Sequence, residues 1–461
     1  MDTEYYQDLI RPLVEGRKFI LAGAVLAGYP MLVKQLRSLG AARPFIVASS
    51  RGTGEVPLEE DAEWAILDLT ASDVIEDIRV TAAALANLAP KVEVAIDAWD
   101  PEGSAVMLGQ PFYMGTHIAG RSVWGRRRPE WEALEDKVRA DAVWDAAGIA
   151  RVPSEVVAAA GDELSLGHHW LDRSLGTAWA GDAKEGFNGG AVYLRWIRNA
   201  ADADEACVFF AEHCDRVRVM PFLEGIPCSI HGMVFPDTVI AFRPCEMITL
   251  RPESGNRLHY GGAATFWDPP DADRVAMRDA ARRVGEVLRE AVGYRGGFTV
   301  DGVMTEEGFR PTELNTRTGA AIAGILAGVR DLPFGMIQRA LIEGEPLEYR
   351  PRELERLIVD SADEHRSGGA LATVDRHQAE TDTRHLVAAG DGYREAREGE
   401  EPEATLEFGP GALGGFVHFR PDPERTPVGP SLAPRAAAAL AIADEIWNLD
   451  IGRLSPARSV R

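Results

Sequence analysis

Residues 294–320, YRGGFTVDGVMTEEGFRPTELNTRTGA, decide how the rest of the chain is read. Apolar and polar residues alternate over 298–305 and again over 309–315, and Glu306-Glu307-Gly308 supplies a turn with glycine where a positive φ is needed. The pattern predicts a β-hairpin. A three-residue loop sets Thr305 opposite Phe309. Counting back along both strands then brings Asp301 opposite Glu313 and Thr299 opposite Asn315, all on one face. Two facing carboxylates repel, so the arrangement calls for a cation, and an oxygen-only donor set suits Mg²⁺ completed by water and phosphate oxygens. Pro311 removes one ladder N–H in this register, which predicts a bulge or an exposed strand there. An ordinary surface hairpin with solvated acids is the alternative that the spacing alone leaves open.

The string DGVM, with ELNTR beginning twelve residues after its aspartate, resembles the metal-binding hairpin of the ATP-grasp superfamily, whose members activate carboxylates with ATP. The resemblance implies that Asp301, Glu313 and Asn315 hold Mg²⁺ and that Arg317 stands where some members place a catalytic arginine. Residues 316–319 are expected to open the next helix.

The whole chain sets bounds on this reading. Its 461 residues suffice for roughly two to four domains with real cores. A formal net charge of −23 argues against nucleic acid or an anionic membrane as the main partner, because both would be repelled. Small-molecule substrates remain. The four cysteines, Cys207, Cys214, Cys228 and Cys245, form no C-x-x-C pair, and MDTEYYQDLI is neither basic nor apolar enough for a signal peptide. A reduced, cytoplasmic protein is expected, with oligomeric state open. His213-Cys214 beside Cys207 reads as buried thiols and a surface histidine rather than a metal cluster. No apolar run approaches a membrane span.

In chain order, strands are expected at 19–22, 45–48, 64–69 and 92–98, with a helix over 31–39 and a glycine-bearing turn, GAVLAG, at 23–28. This is a small Rossmann-like α/β opening. GAVLAG is not G-x-G-x-x-G and no P-loop lysine follows it, so nucleotide binding here is weakly supported. Residues 134–147 show amphipathic spacing ending at Gly148. Arg126, Arg127 and Arg128 read as a solvated loop or an internal ion-pair region.

Residues 177–197 read as two strands around a glycine-rich turn. They resemble the superfamily's lid hairpin, in which Lys184, Gly189 and Gly190 would meet phosphates. Lys137 falls at the other phosphate-binding lysine position, and these are two of only five lysines in the chain. Residues 217–225, VRVMPFLEG, resemble the hinge that grips adenine, which implies ATP contacts from Met220, Phe222, Leu223 and Glu224. Met220 before Pro221 and Pro227 after Gly225 depart from the usual acids.

Residues 241–267 are too polar and irregular for a simple strand pair. Arg243, Arg251, Arg257 and Tyr260 are candidates for gripping a carboxylate or developing phosphate, and Arg243 and Arg251 join Arg317 as catalytic candidates. A surface ion pair is the competing reading for each. Asp271 is expected to cap a helix that ends at Gly293. From 332 onward come a helix over 336–342, a charged face with Asp360, Asp363 and Glu364, strand-like runs over 385–419 and an alanine-rich helix over 434–449.

The expected fold is therefore α/β and α+β multidomain. Its parts are a pre-ATP-grasp domain at 1–115, an ATP-grasp domain at 116–345 with a lid near 150–222 and a core near 223–345, and a C-terminal α+β cap at 346–461. The resemblance implies a carboxylate–amine ligase using ATP and Mg²⁺, forming an amide or peptide bond through an acyl phosphate. Within the superfamily the layout looks most like pheganomycin-type peptide ligases. A biotin-carboxylase-like or acyl-thiol-forming enzyme and a non-catalytic ATP-binding protein are the other readings.

Overall fold

The computed structural model describes residues 3–52, 54–71, 74–160, 163–184, 189, 191–390, 392–411 and 414–458. Among these residues four sheets form. The first has six strands, ordered Glu63–Ile66, Phe45–Ala48, Phe19–Ala22, Val106–Leu108, Arg121–Trp124 and His117–Ile118, parallel except for the last pair. The strand expected at 92–98 is instead part of the helix Pro90–Trp99. Pro90 at its first turn is pre-set for helix, and Val92 and Ile96, four apart, are the buried pair. Val106–Leu108 takes the place in the sheet beside Phe19–Ala22.

The second sheet is antiparallel, ordered Glu155–Ala158, Arg216–Pro221, Thr177–Gly181 and Leu194–Ile197, and Thr177 pairs with Ile197 as the hairpin reading requires. The third lies at the centre. Its main path runs His259–Ala264, Cys245–Pro252, Ile226–Val234, Gly296–Thr305 and Gly308–Asn315, with Val239–Ala241 and Leu454–Ser455 attached at its sides. Residues 245–264 are thus an antiparallel pair after all; a register shift between Ile248 and Thr249 accounts for the irregular pattern.

The helix Asp271–Val292 covers one face of this sheet, burying Met277, Ala281, Val284 and Leu288 at helical spacing. Gly285 permits the contact, since a Cβ there would lie 2.5 Å from a Val239 methyl. The N-cap is Pro270, so Asp271 is a first-turn acid and not the cap; Gly293, at φ 60°, ends the helix. The stretch 134–147 is not one helix either. Asp136 accepts from the Val138 N–H and breaks it into short 3₁₀ turns at Ala133–Glu135 and Lys137–Arg139, followed by the helix Ala140–Ala146. No helix opens at 316–319; the next one is Ile322–Ile325.

The fourth sheet has five strands, Ala370–Val374, Gly414–Pro421, Ala404–Gly411, Asp382–Ala389 and Gly392–Glu395, and the helix Ala433–Trp447 packs on it. Buried Glu246 ties this unit to the central sheet by accepting the N–H groups of Leu432 (2.7 Å) and Ala433 (3.3 Å) and the Ser431 hydroxyl. The helix Pro351–Glu364 presents Asp363 inward to Arg243 and Arg274, so that residue belongs to an internal ion-pair cluster rather than to a solvated face.

Candidate active site

The hairpin Gly296–Thr305 and Gly308–Asn315 turns through two residues, with Thr305 opposite Gly308 rather than Phe309. Taken alone, that would put every later pair out of phase. A bulge restores it: Gly302 pairs with Pro311, Thr312 is passed over, and Asp301 faces Glu313 while Thr299 faces Asn315. Gly302 is needed opposite the bulge, because a Cβ there would lie 2.3 Å from the Arg310 carbonyl oxygen.

Asp301 accepts from Asn315 Nδ2 at 2.9 Å and from the Ser229 hydroxyl on the neighbouring strand Ile226–Val234. Burial and the facing Glu313 charge push the Asp301 carboxyl up to about 7, against the opposing pull of Ser229, Arg317 and Lys137. Lys137, itself buried, reaches Glu313 Oε1 at 3.1 Å. Arg317 donates to Asn315 Oδ1 at 2.8 Å, stands 3.4 Å from Glu135 and lies 5.2 Å from the Phe112 ring. Arg127 is buried and holds Glu135 from the other side at 2.5 Å, which makes it the internal ion pair that was one of its two readings.

Lys137, Ser229, Asp301, Glu313, Asn315 and Arg317 line one cavity of about 300 Å³ between the central sheet and the sheet that contains Thr177–Gly181. Its walls include Lys137, Gly189, Met220, Phe222, Leu223, Arg251, Asp301, Glu313, Asn315 and Arg317. Ala178, Ala180 and Leu194 add an apolar wall beside Met220 and Leu223. Of the other sequence candidates among the described residues, Lys184, Glu224, Arg243 and Arg257 are not among these walls. Lys184 pairs with Asp215 at 3.3 Å, and Gly190 lies outside the described residues. Glu224 is bound to Arg251 rather than lining the cavity. Arg243 has no exposure and spends its donors on Asp363 (2.8 Å), Asp268 and the carbonyls of Pro244 and Trp267, so its role is internal and it is not among the cavity's walls. Arg257 is exposed, while Tyr260 does line the cavity.

Sequence reading missed Ser229 and His231. Both sit on the strand beside the hairpin, two apart and on one face, where Ser229 pairs with Asp301 and His231 with Thr299. The signal was the alternation in residues 228–232, CSIHG, once that strand's neighbour is known. Burial draws the His231 imidazole down to about 4, so it is neutral at pH 7.

Among the described residues no group of three or more His, Cys, Asp or Glu converges. The hairpin instead offers two carboxylates and an amide oxygen, all hard donors, and the Glu313 charge raises the Asp301 carboxyl even with Lys137 and Arg317 beside the pair. That set fits Mg²⁺ whose remaining ligands are water and substrate phosphates. Nor, among the described residues, is any helix long and apolar enough to cross a membrane.

No protein-family model matches the chain, and no curated protein matches it in sequence. Solved structures do match in fold. The biotin carboxylase domain of Hydrogenobacter thermophilus 2-oxoglutarate carboxylase, in complex with MgADP and bicarbonate, is similar at a TM-score of 0.52 and 13% identity, covering 96% of this chain and 91% of its own. Rhizobium etli pyruvate carboxylase gives 0.53 and 14%, covering 94% of this chain and 37% of its own. Carboxyaminoimidazole ribonucleotide synthase from Aspergillus clavatus, complexed with ATP, gives 0.50 and 12%, covering 94% and 99%. The chain thus shares the multidomain α/β fold of these three structures.

Proposed function

We propose that this chain is an ATP-dependent ligase that moves the γ-phosphoryl group of ATP onto a carboxyl-type oxyanion and passes the activated acyl or carboxy group to an amine, releasing ADP and phosphate. One observation carries the reading: the facing carboxylates Asp301 and Glu313 share a cavity with the hinge residues Met220, Phe222 and Leu223 and with the cations Lys137 and Arg317.

Each residue has a task. Met220 and Leu223, with the alanines of the lid strand, offer a flat apolar wall for a purine. Lys137 orients phosphate oxygens as a compact charge, Lys184 would join it on leaving Asp215, and the backbone near Gly189 can approach them closely because glycine has no Cβ. Asp301, Glu313 and Asn315 would hold Mg²⁺, which supplies charge neutralisation on the transferring phosphoryl group. Arg317, fixed by Asn315 and Glu135, aims forked donors at charge that develops on the acyl or carboxy phosphate. The lid excludes water, which otherwise hydrolyses that mixed anhydride.

Two acyl donors compete. Bicarbonate is favoured by the fold neighbours, two of which are carboxylases and one a carboxyaminoimidazole ribonucleotide synthase. An organic carboxylate, giving an amide or peptide bond as in pheganomycin-type ligases, is supported by the ELNTR string behind a leading α/β unit. We take 1–115, 116–345 and 346–461 as the domain limits and a cytoplasmic enzyme of small-molecule substrates as the setting.

ADP formation should be assayed with bicarbonate, with a panel of amino acids and short peptides, and with thiols, and the products weighed by mass spectrometry. Bicarbonate dependence identifies the carboxylase reading, and dependence on a carboxylate plus an amine identifies the amide ligase. A thiol requirement marks the acyl-thiol relative. Tight MgATP binding without turnover on any of these overturns the enzyme assignment.

A further inference from the structure

The hinge end of the cavity is completed by a segment more than two hundred residues away in sequence. Glu224, in the hinge, takes two hydrogen bonds from Arg251, at 3.0 Å from Nη1 and 2.7 Å from Nη2. The backbone N–H of Arg458 donates to the same carboxylate at 3.0 Å, and the Gly225 N–H reaches it too. A carboxylate has about four lone-pair sites, so these four donors fill them. Burial raises the Glu224 carboxyl, but the donors outweigh it and hold the group below its ordinary range. The protein's own donors thus engage the carboxylate that the sequence offered as an ATP contact.

Arg251 is the group turned to the cavity. Its guanidinium lies 4.9 Å from the ring of Phe222 in the hinge and 5.6 Å from that of Trp196 in the lid, and those two rings stack at 4.3 Å. Behind it, the short strand Leu454–Ser455 pairs with Arg251 and Pro252, and Glu253 donates its N–H to the Arg453 carbonyl at 3.0 Å. The segment is therefore laced along the strand that carries Arg251 before it reaches Glu224.

We propose that residues 454–458 form part of the nucleotide site: the Arg458 N–H fixes Glu224 against Arg251, and Arg251, rather than Glu224, meets the ribose or phosphate oxygens of the bound nucleotide. Arg458 is a positioning residue that acts through its backbone, since its side chain is exposed. The inference rests on the reading of the cavity as a nucleotide site.

Arg458→Pro removes the N–H, and Arg458→Ala keeps it. MgATP affinity by calorimetry and the melting temperature without nucleotide separate positioning from folding. The proline variant should bind MgATP about tenfold more weakly, the usual cost of one hydrogen bond to a charged group, while melting within about 2 °C of wild type. The alanine variant should restore wild-type affinity. If proline lowers the melting temperature, Glu224→Gln in an intact segment decides: its neutral amide loosens the Arg251 clamp and should also weaken MgATP about tenfold. Wild-type affinity in Arg458→Pro and Glu224→Gln overturns this inference alone. Failure of the unmodified chain to bind MgATP overturns the nucleotide reading and this inference with it.

Discussion

Asp301 faces Glu313 across the hairpin because Thr312 is bulged out of the pairing, which compensates for a turn one residue shorter than the alternation suggests. Without the bulge a one-residue slip would send Glu313 and Asn315 to the opposite face. Pro311, which has no N–H to give, sits beside the bulge where the ladder is already interrupted. The placement of the two carboxylates thus depends on a local irregularity of the strand.

Arg317 is held on three sides, by Asn315 Oδ1, Glu135 and the Phe112 ring. Arg317→Lys keeps the charge but loses the planar fork and its stacking, so kcat for ADP formation should fall about a hundredfold, the usual scale for a positioned electrostatic contact, with MgATP affinity nearly unchanged. Steady-state kinetics with calorimetry on the same protein checks this. Full activity in the lysine variant transfers the role to another cation of the cavity.

Lys184 is about a third exposed and pairs with a more exposed Asp215, and such a surface contact contributes little to stability. Lys184→Ala should therefore weaken MgATP binding severalfold and move the melting temperature by no more than about 1 °C. Unchanged nucleotide affinity would remove Lys184 from the phosphate site and leave Lys137 as its lysine.

Arg243 belongs to stability. Replacing it by methionine removes one partner each from Asp268 and Asp363, which keep Arg366 and, for Asp363, Arg274, and should cost on the order of 2 kcal/mol in urea unfolding for the lost charged hydrogen bonds, while the variant that remains folded binds MgATP normally. Loss of nucleotide affinity at unaltered stability would return Arg243 to the list of catalytic candidates.

Glu246 gives the fold a pH dependence of known sign. Burial raises its carboxyl from 4.5 to about 7, outweighing the donors from Ser431, Leu432 and Ala433. Between those values the folded state binds more protons than the unfolded state, so the stability this group contributes is complete below pH 4.5 and is lost as pH rises through 7. Glu246→Gln has no proton to lose. The difference in unfolding free energy between wild type and variant should shift toward the variant on the order of 3 kcal/mol from pH 4.5 to pH 8. A pH-independent difference would contradict the assignment.

How much of this was legible in the sequence differs from residue to residue, for physical reasons. The alternation in residues 298–305 and 309–315 gave the hairpin and the facing pair Asp301–Glu313, because side-chain direction in a strand follows from parity alone. It gave the turn length wrongly, since a short turn plus a bulge and a longer turn without one produce the same parity. Residues 92–98 misled because Val, Glu, Val and Ala at alternate polarity suit a strand, while the deciding features, Pro90 and the Val92–Ile96 spacing, are helical. Arg243, Arg251 and Glu224 were individually conspicuous but their partners were not, because Asp363 and Arg458 come from over a hundred residues downstream. Ser229 stayed invisible for the same reason: its closeness to Asp301 is set by which strands are neighbours, a property of topology that local pattern does not encode.

The central claim is that the hairpin's acids serve a metal-dependent phosphoryl transfer to an oxyanion. It is tested most directly by following ADP formation from ATP in wild type and Glu313→Gln, with and without Mg²⁺, in the presence of bicarbonate or the carboxylate panel. The account predicts turnover that requires both Mg²⁺ and the oxyanion and that Glu313→Gln abolishes, while the variant melts within about 3 °C of wild type. Turnover that persists in folded Glu313→Gln, or that needs no divalent cation, would contradict it.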